Sequence, residues 1–117
     1  MNTRELYSLI ALGEQTRNVE LKRSISWDDS DVKARIAKTV LGMSNIRNGG
    51  FLILGVEQEG DDFNPVGITD EHLSTFNYDL VSSEVAKFAD PYAVFRMETV
   101  EDLESKTRKI LKVNKKN

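Results

Sequence analysis

Three carboxylates beside two predicted strands are the side chains of this sequence best suited to chemistry. Glu14 and Glu20 flank the start of the first predicted strand, and Glu57 follows the apolar run Phe51–Leu54. Carboxylate oxygens bind Mg²⁺ and Mn²⁺ well, and an ion held by them can position water against a phosphodiester. If the two strands are neighbours, the spacing is compatible with a nuclease. The competing interpretation is that these glutamates are ordinary solvated surface residues.

Other reactive groups are scarce in this chain. His72 is the only histidine, no partner at a useful spacing supports a nucleophile pair with it, and there is no cysteine. A zinc site is not expected for the same reason. The sequence lacks the GxxxxGK[ST] phosphate-binding loop, and Gly49-Gly50 alone is a weak signal for a phosphate cradle. We therefore expect no cofactor, unless the carboxylates form a nuclease centre that holds Mg²⁺ or Mn²⁺.

Basic side chains around the first predicted strand and the second predicted helix could contact nucleic-acid phosphates. The candidates are Lys22, Arg23, Lys33, Arg35, Lys38 and Arg47, with Lys109 and Lys112 as further members. We predict that Lys33, Arg35 and Lys38 lie on the solvent face of their helix, opposite an apolar stripe that begins at Val32. No aromatic residues are interleaved with these cations, and no helix-turn-helix pattern is present. Base stacking and sequence-specific readout are therefore not indicated.

The elements that must position these side chains follow the predicted order α-β-α-β-α-β-β. Helices are predicted at Thr3–Leu12, Asp29–Ile46 and Asp70–Phe88, and strands at Asn18–Ser24, Phe51–Glu57, Tyr92–Val100 and Arg108–Val113. Because Phe51–Leu54 is apolar without alternation, we predict a central strand that is covered on both faces. Gly55 is expected to let a packed helix approach the backbone. Asp28 is the predicted N-cap of the second helix, and Gln58–Gly67 is predicted to be a loop.

The predicted fold class is α/β (α+β), with a mixed sheet of about four strands packed against three helices. The 117 residues are interpreted as one domain, residues 1–117, which could be the N-terminal part of a longer protein. The composition, 39% apolar and 30% charged, is typical of a soluble globular protein. No apolar segment approaches the roughly 20 residues of a membrane span, and no secretory signal is visible. We therefore expect a cytoplasmic protein.

Charge is unevenly distributed along the chain. The net charge of −3 argues mildly against a nucleic-acid-binding protein. However, residues 1–50 carry eight Lys or Arg and six Asp or Glu, residues 51–104 carry two and thirteen, and residues 105–117 carry six and none. This asymmetry predicts a basic face beside or opposite an acidic one. The alternative is a solvated surface with a charged tail.

Two motifs in order resemble the Schlafen AlbA_2 domain family. The first is Glu14 followed by Val19–Lys22 (VELK), similar to the family's E-x(n)-E-φ-K segment, where φ is an apolar residue. The second runs from Ser44 to Val56 (SNIRNGGFLILGV), similar to the family's (A/S)-N-(T)-x-G-G-φ-φ-φ-φ-G-V segment. Asp90-Pro91 and the later strand Lys109–Val113 fall where the family has a helix end and its last strands. The resemblance thus covers nearly all of the chain.

The resemblance implies a mixed α/β fold and a DNA-binding role of the transcriptional-regulator type. In animal Schlafens the related domain is a metal-dependent ribonuclease that cuts structured RNA with three carboxylates. Carried onto this chain, the first two fall on Glu14 and Glu20, with a gap one residue longer than usual. The family's usual aspartate aligns with Gln58, so Glu57 or Glu59 would have to replace it.

These observations rank three functions. The first is a nucleic-acid-binding domain for DNA or RNA, with no membrane partner. The second is a Schlafen-like metal-dependent endoribonuclease, and the third is a protein-interaction or homo-oligomerisation domain. An enzyme is less favoured than a binding domain, because Gln58 is neutral where a charged metal ligand is expected. We therefore expect no bound metal and weak or absent nuclease activity.

Overall fold

A four-stranded mixed sheet organises the structure, which is a computed structural model. It describes residues 3–12, 19–44, 50–88, 95–101 and 109–115. The helices in these ranges are α1 (Thr3–Leu12), α2 (Ser30–Ser44), α3 (Asp70–Leu73) and α4 (Tyr78–Ala86). The strands are β1 (Val19–Lys22), β2 (Phe51–Leu54), β3 (Glu57–Glu59), β4 (Asp62–Asn64), β5 (Phe95–Glu101) and β6 (Lys109–Lys115). No helix among the described residues is long and apolar enough to cross a membrane.

The strand order in the main sheet is β1-β2-β6-β5. β1 runs parallel to β2, whereas β6 is antiparallel to both β2 and β5. β2 is therefore flanked on both sides, and Leu52, Ile53 and Leu54 are fully buried. The predictions of a mixed α/β fold and of a central strand at Phe51–Leu54 are both confirmed.

Successive residues of β2 serve two separate cores, because side chains alternate between the faces of a strand. Leu52 and Leu54 join a cluster with Trp27 and with buried residues of α2 and α4. Ile53 joins the cluster on the opposite face, where α1 contributes Leu6 and Ile10. Odd-numbered and even-numbered residues of β2 thus each face a core, and this is why the run is apolar throughout.

The close neighbour of Gly55 is the backbone of Gly67 and Ile68, whereas a packed helix was expected from the sequence. A Cβ at Gly55 would lie 2.7 Å from the Gly67 carbonyl carbon and 2.7 Å from the Ile68 nitrogen. Gly55 also has φ +111°, and the Gly67 amide donates to its carbonyl over 2.8 Å. The sequence indicated the close approach but not which segment makes it, because residue 67 is brought there by tertiary contacts.

The predicted third helix, Asp70–Phe88, is in fact two helices, so the described chain has four helices instead of three. α3 ends after one turn, and α4 begins anew after Asn77, whose side chain accepts hydrogen bonds from the amides of Asp79 and Leu80. An Asn side chain competes with the helical backbone for these amides and favours a new N-terminus. The apolar spacing persists across the break, which is why the sequence pattern looked continuous.

Two shorter predictions are also wrong. The antiparallel hairpin of β3 and β4 begins at Glu57 and takes up most of the loop predicted at Gln58–Gly67, turning at Gly60 with φ +59°. The N-cap of α2 is Asp29, not Asp28, because the Asp29 carboxylate accepts from the amides of Asp31 and Val32. Adjacent aspartates make equally good caps in a sequence, and only the backbone geometry separates them.

The segment after β1 is held against α3 by four side chains, here called the polar clamp: Ser24, Thr69, His72 and Thr75. The Ser24 hydroxyl oxygen accepts from the Thr69 amide over 3.0 Å and lies 2.8 Å from His72 Nδ1. Thr75 Oγ1 accepts from the Trp27 amide over 2.8 Å and donates to the His72 carbonyl over 2.6 Å. The clamp therefore fixes the backbone on both sides of Ser26.

Replacing Gly55 with alanine should destabilise the domain by about 2–3 kcal/mol, because the new Cβ meets backbone that cannot rotate away. The measurement is urea unfolding followed by circular dichroism. Gly42→Ala is the matched control, since nothing lies within 4 Å of a Cβ at this helical site. It should raise stability by roughly 0.5–1 kcal/mol. Equal losses for both variants would contradict the close-approach argument.

Removing the clamp hydroxyl with Ser24→Ala should cost about 1 kcal/mol of unfolding free energy, because the Thr69 amide and the His72 ring each lose a partner. Ser83→Ala, at an exposed position of α4, should stay within about 0.5 kcal/mol of the parent. The comparison uses the same urea titration. A Ser24→Ala domain as stable as the Ser83 variant would show that the clamp does not stabilise the fold.

Candidate nucleic-acid interface

β1 is an edge strand whose two faces differ in chemistry. Val19 and Leu21 are buried against the α1 side. Glu20 and Lys22 point to the other face, where Lys22 Nζ lies 3.6 Å from Glu20 Oε1. The prediction that these two charges share a face is confirmed. Both side chains keep contact with solvent, so the pair is a surface salt bridge of modest strength.

A shallow cavity of about 160 Å³ opens between the end of β1 and the first half of α2. We call it the basic cleft, and its described lining residues are Lys22, Arg23, Ile25, Val32, Arg35 and Ile36. Its volume is well below the roughly 300–1,000 Å³ typical of pockets that enclose a drug-sized ligand. The cleft is therefore suited to part of a larger ligand, such as one segment of a polymer.

The basic cleft combines positive charge with an apolar wall. Arg23 and Arg35 are exposed, and the salt bridges found within the described ranges include neither of them. Their guanidinium groups are not neutralised by a described carboxylate, and such groups match phosphate oxygens in a bidentate geometry. An apolar wall reduces the local dielectric, so an anion in the cleft would be attracted more strongly than on open surface.

The other basic residues predicted on α2 lie away from the cleft. Lys38 is exposed, and its Nζ is 5.7 Å from the centre of the Phe88 ring. Lys33 is half-buried with its Nζ 5.8 Å from the Trp27 ring. The solvent-face prediction is thus confirmed for Arg35 and Lys38 and wrong for Lys33. Lys33 precedes the buried Ala37 by four residues, which places both on one side of a helix.

Lys109 and Lys112 are not among the residues that line the cleft in the described part of the chain. Lys112 lies between Leu111 and Val113 in β6 and so points to the sheet face opposite the cleft. Its Nζ is 3.7 Å from Glu98 and 5.8 Å from the Phe51 ring centre, and its side chain is only 12% exposed. Lys109 contributes its carbonyl to the Ile68 amide. Arg47 lies outside the described residues.

The three-carboxylate centre is only partly represented in the described residues. Glu14 lies outside them, Glu20 is paired with Lys22, and Glu57 is exposed in β3 together with Glu59. Within the described ranges, no three His, Asp or Glu side chains are grouped so as to hold a metal ion. These residues do not supply a complete ligand set for Mg²⁺ or Mn²⁺, so no metal-dependent step follows from them.

Gln58 lines another cavity, of about 290 Å³, together with Leu21, Arg23, Val56 and Phe63. Its amide nitrogen donates to the Gly60 carbonyl over 3.0 Å. Arg23 lines this cavity and the basic cleft alike. The position where the family resemblance places an acid is therefore a neutral amide, and it lines the same cavity as Arg23.

Sequence reasoning missed the residues that position the cleft. Ser24 stands between Arg23 and Ile25, and its contacts with Thr69 and His72 fix the strand end that carries both cleft residues. Thr69 caps α3, since its hydroxyl oxygen accepts from the His72 amide over 3.1 Å. The sequence offered no partner for His72, because Ser24 is 48 residues away along the chain.

Comparison with known proteins supports the family resemblance. The family model described as Schlafen, AlbA_2 matches residues 15–117. No curated protein and no solved structure gave a significant match. The match spans the sheet, the helices α2 to α4 and the basic cleft. By its sequence the chain belongs to the Schlafen AlbA_2 domain family.

Proposed function

We propose that this domain binds nucleic acid by holding backbone phosphates in the basic cleft. The observation that carries the proposal is the convergence of Arg23, Arg35 and Lys22 on one concave surface. Two of these cations have no carboxylate partner within the described ranges. Membership of a family associated with nucleic acid supports the same assignment.

The cleft is supported by a backbone that is fixed before any ligand arrives. The Lys22 carbonyl accepts from the amides of both Gly55 and Val56, over 2.9 and 3.0 Å. The next residues are tied to α3 by the polar clamp. Cations on a fixed backbone lose less conformational freedom when they bind, which increases the affinity gained per contact.

The chemistry of the cleft favours phosphate contacts over base readout. Its described lining contains no aromatic side chain on which a base could stack and no Asn or Gln that could read a base edge. We therefore infer binding with little sequence preference and strong salt dependence. Duplex DNA bound in a transcriptional-regulator role is the form that the family resemblance favours. The absence of cysteine is compatible with a reducing, cytoplasmic setting.

A metal-dependent ribonuclease is the second candidate, and one observation favours it. Glu20 points to the same sheet face as the basic cleft and is linked there to Lys22. A carboxylate beside phosphate-binding cations is the arrangement that a nuclease needs. The remaining carboxylates would have to come from Glu14 and from Glu57 or Glu59.

The double variant Arg23→Ala/Arg35→Ala should weaken binding to duplex DNA by about tenfold or more and reduce the salt slope by about two, because two phosphate contacts are lost. Affinity is measured by fluorescence anisotropy at several salt concentrations, with single-stranded DNA and hairpin RNA as further ligands. Arg4→Ala/Lys87→Ala is the control, since it removes the same charge from exposed sites outside the cleft. Equal losses in both double variants would point to net charge and not to the cleft.

Glu20→Gln separates the two candidate functions. For a binding domain, the change removes a carboxylate near bound phosphate and frees Lys22, so affinity should stay equal or rise about two- to threefold. For a nuclease, the same change should abolish Mn²⁺-dependent cleavage of hairpin RNA. Gel analysis of the RNA with and without Mn²⁺ reads out cleavage, and anisotropy reads out binding. We expect no cleavage by the parent protein and no loss of affinity in the variant.

A further inference from the structure

The outer edge of β5 is a second surface at which another chain could bind. β5 has seven residues and ends the sheet, pairing with β6 on its inner side. No other strand of the described ranges pairs with its outer side. A free strand edge presents backbone N–H and C=O groups that can pair with another chain. A long edge strand therefore needs either a cover or a partner.

The side chains of this edge carry a self-complementary charge pattern. Arg96 and Glu98 point to the same face and are 51% and 41% exposed, with Nη1 and Oε1 4.0 Å apart. Glu98 also lies 3.7 Å from Lys112 Nζ on the neighbouring strand. Met97, between them, points to the opposite face and packs against the core below α2. One positive and one negative charge thus flank a central neutral residue.

We propose that two copies of this domain associate through β5, pairing antiparallel about a two-fold axis at Met97. In this register Arg96 of each copy lies directly opposite Glu98 of the other, and Met97 lies opposite Met97. Directly opposite residues of antiparallel strands have Cβ atoms about 4.5–5.5 Å apart, close enough for both ion pairs. The interface is isologous and closes at two copies.

Neighbouring registers are disfavoured by the same charges. A two-fold axis at Arg96 would place two Arg96 side chains opposite each other, and an axis at Glu98 would do the same with two glutamates. Like charges directly opposite destabilise a strand pair. The Met97 register instead continues a row that alternates in sign across the dimer, from Lys112 through Glu98 to Arg96 of the second copy.

The opposite face of the paired strands is compatible with this register. Phe95 lies opposite Thr99, so no charge on that face meets a like charge within residues 95–99. The Tyr78 ring packs against the Phe95 ring with centres 5.0 Å apart and planes tilted by 35°, and the Tyr78 hydroxyl donates to the Phe95 carbonyl over 3.2 Å. This carbonyl retains a second lone pair for a strand partner. Tyr78 is 45% exposed, so its ring adds apolar surface beside the pairing edge.

The dimer leaves the basic cleft free, because the cleft lies at β1, the opposite edge of the sheet. Two clefts would then be carried by one eight-stranded sheet, and linked sites raise overall affinity without new contacts. This consequence rests on the proposed nucleic-acid binding, whereas the dimer itself does not. If the protein proves monomeric, the cleft proposal still stands. If the cleft does not bind nucleic acid, the dimer proposal still stands.

Charge reversal tests the register with protein alone. The parent should show a mass that rises with concentration from the 13.2 kDa of one chain toward twice that value, measured by sedimentation velocity. Arg96→Glu and Glu98→Arg should each weaken self-association at least tenfold, which corresponds to about 1.4 kcal/mol. An equimolar mixture of the two variants should recover association, because each charge again meets its opposite.

The controls for charge reversal lie elsewhere on the surface. Arg4→Glu on α1 and Glu59→Arg on β3 change the net charge by the same amounts at exposed sites, and each alone should self-associate as the parent does. Circular dichroism establishes that every variant is folded. A parent that stays monomeric at all concentrations would overturn the proposal. So would charge-reversed variants that associate like the parent, or a mixture no better than its components.

A cysteine cross-link tests the axis directly, since the chain contains no cysteine. Met97→Cys places the new thiol opposite the equivalent thiol of the second copy, so mild oxidation should yield a disulfide-linked dimer. Thr99→Cys is more exposed but lies opposite Phe95 and should cross-link at least fivefold more slowly. Equal rates for the two variants, or faster linkage through Thr99, would exclude the Met97 register.

Discussion

Three consecutive amides, those of Gly67, Ile68 and Thr69, hold the ends of three strands together. They donate in turn to the Gly55 carbonyl, the Lys109 carbonyl and the Ser24 hydroxyl. These acceptors lie just after β2, at the start of β6 and just after β1. Buried backbone groups need hydrogen-bond partners. The segment 67–69 supplies donors to acceptors at the ends of three strands, which would otherwise lack these hydrogen bonds. The basic cleft depends on this junction, since Arg23 and Ile25 flank one of its acceptors.

The sequence predicted an element correctly where one physical requirement, burial of an apolar face, acts along the whole element. The α1 bounds and the central position of Phe51–Leu54 follow from apolar spacing, which burial enforces directly. The division of the third helix was hidden, because Asn77 interrupts the backbone without interrupting the apolar stripe. Lys33 was misplaced for a different reason: its long apolar stem can pack beside Trp27, and its Nζ lies 5.8 Å from the centre of that ring.

The candidate site shows the limit of sequence reasoning more clearly. Lys22, Arg23 and Arg35 were recognised as cations, but their convergence depends on how β1 meets α2, which no spacing along the chain encodes. The polar clamp could not be predicted either, because Ser24 and His72 are 48 residues apart along the chain. Composition did not indicate the cleft either, because the net charge of −3 averages the cleft cations with an acidic segment elsewhere.

The two edges of the sheet divide the domain's surface chemistry. β1 has four residues and ends beside the basic cleft, whose described lining carries Lys22, Arg23 and Arg35. β5 has seven residues and lies within the acidic segment 51–104, where Arg96 is one of only two basic side chains. Exposed ion pairs contribute only about 0.2–1 kcal/mol each, so the Arg96–Glu98 pattern would supply little affinity to a strand pair. In the proposed dimer these charges would act mainly on register, since the backbone hydrogen bonds are similar in every register.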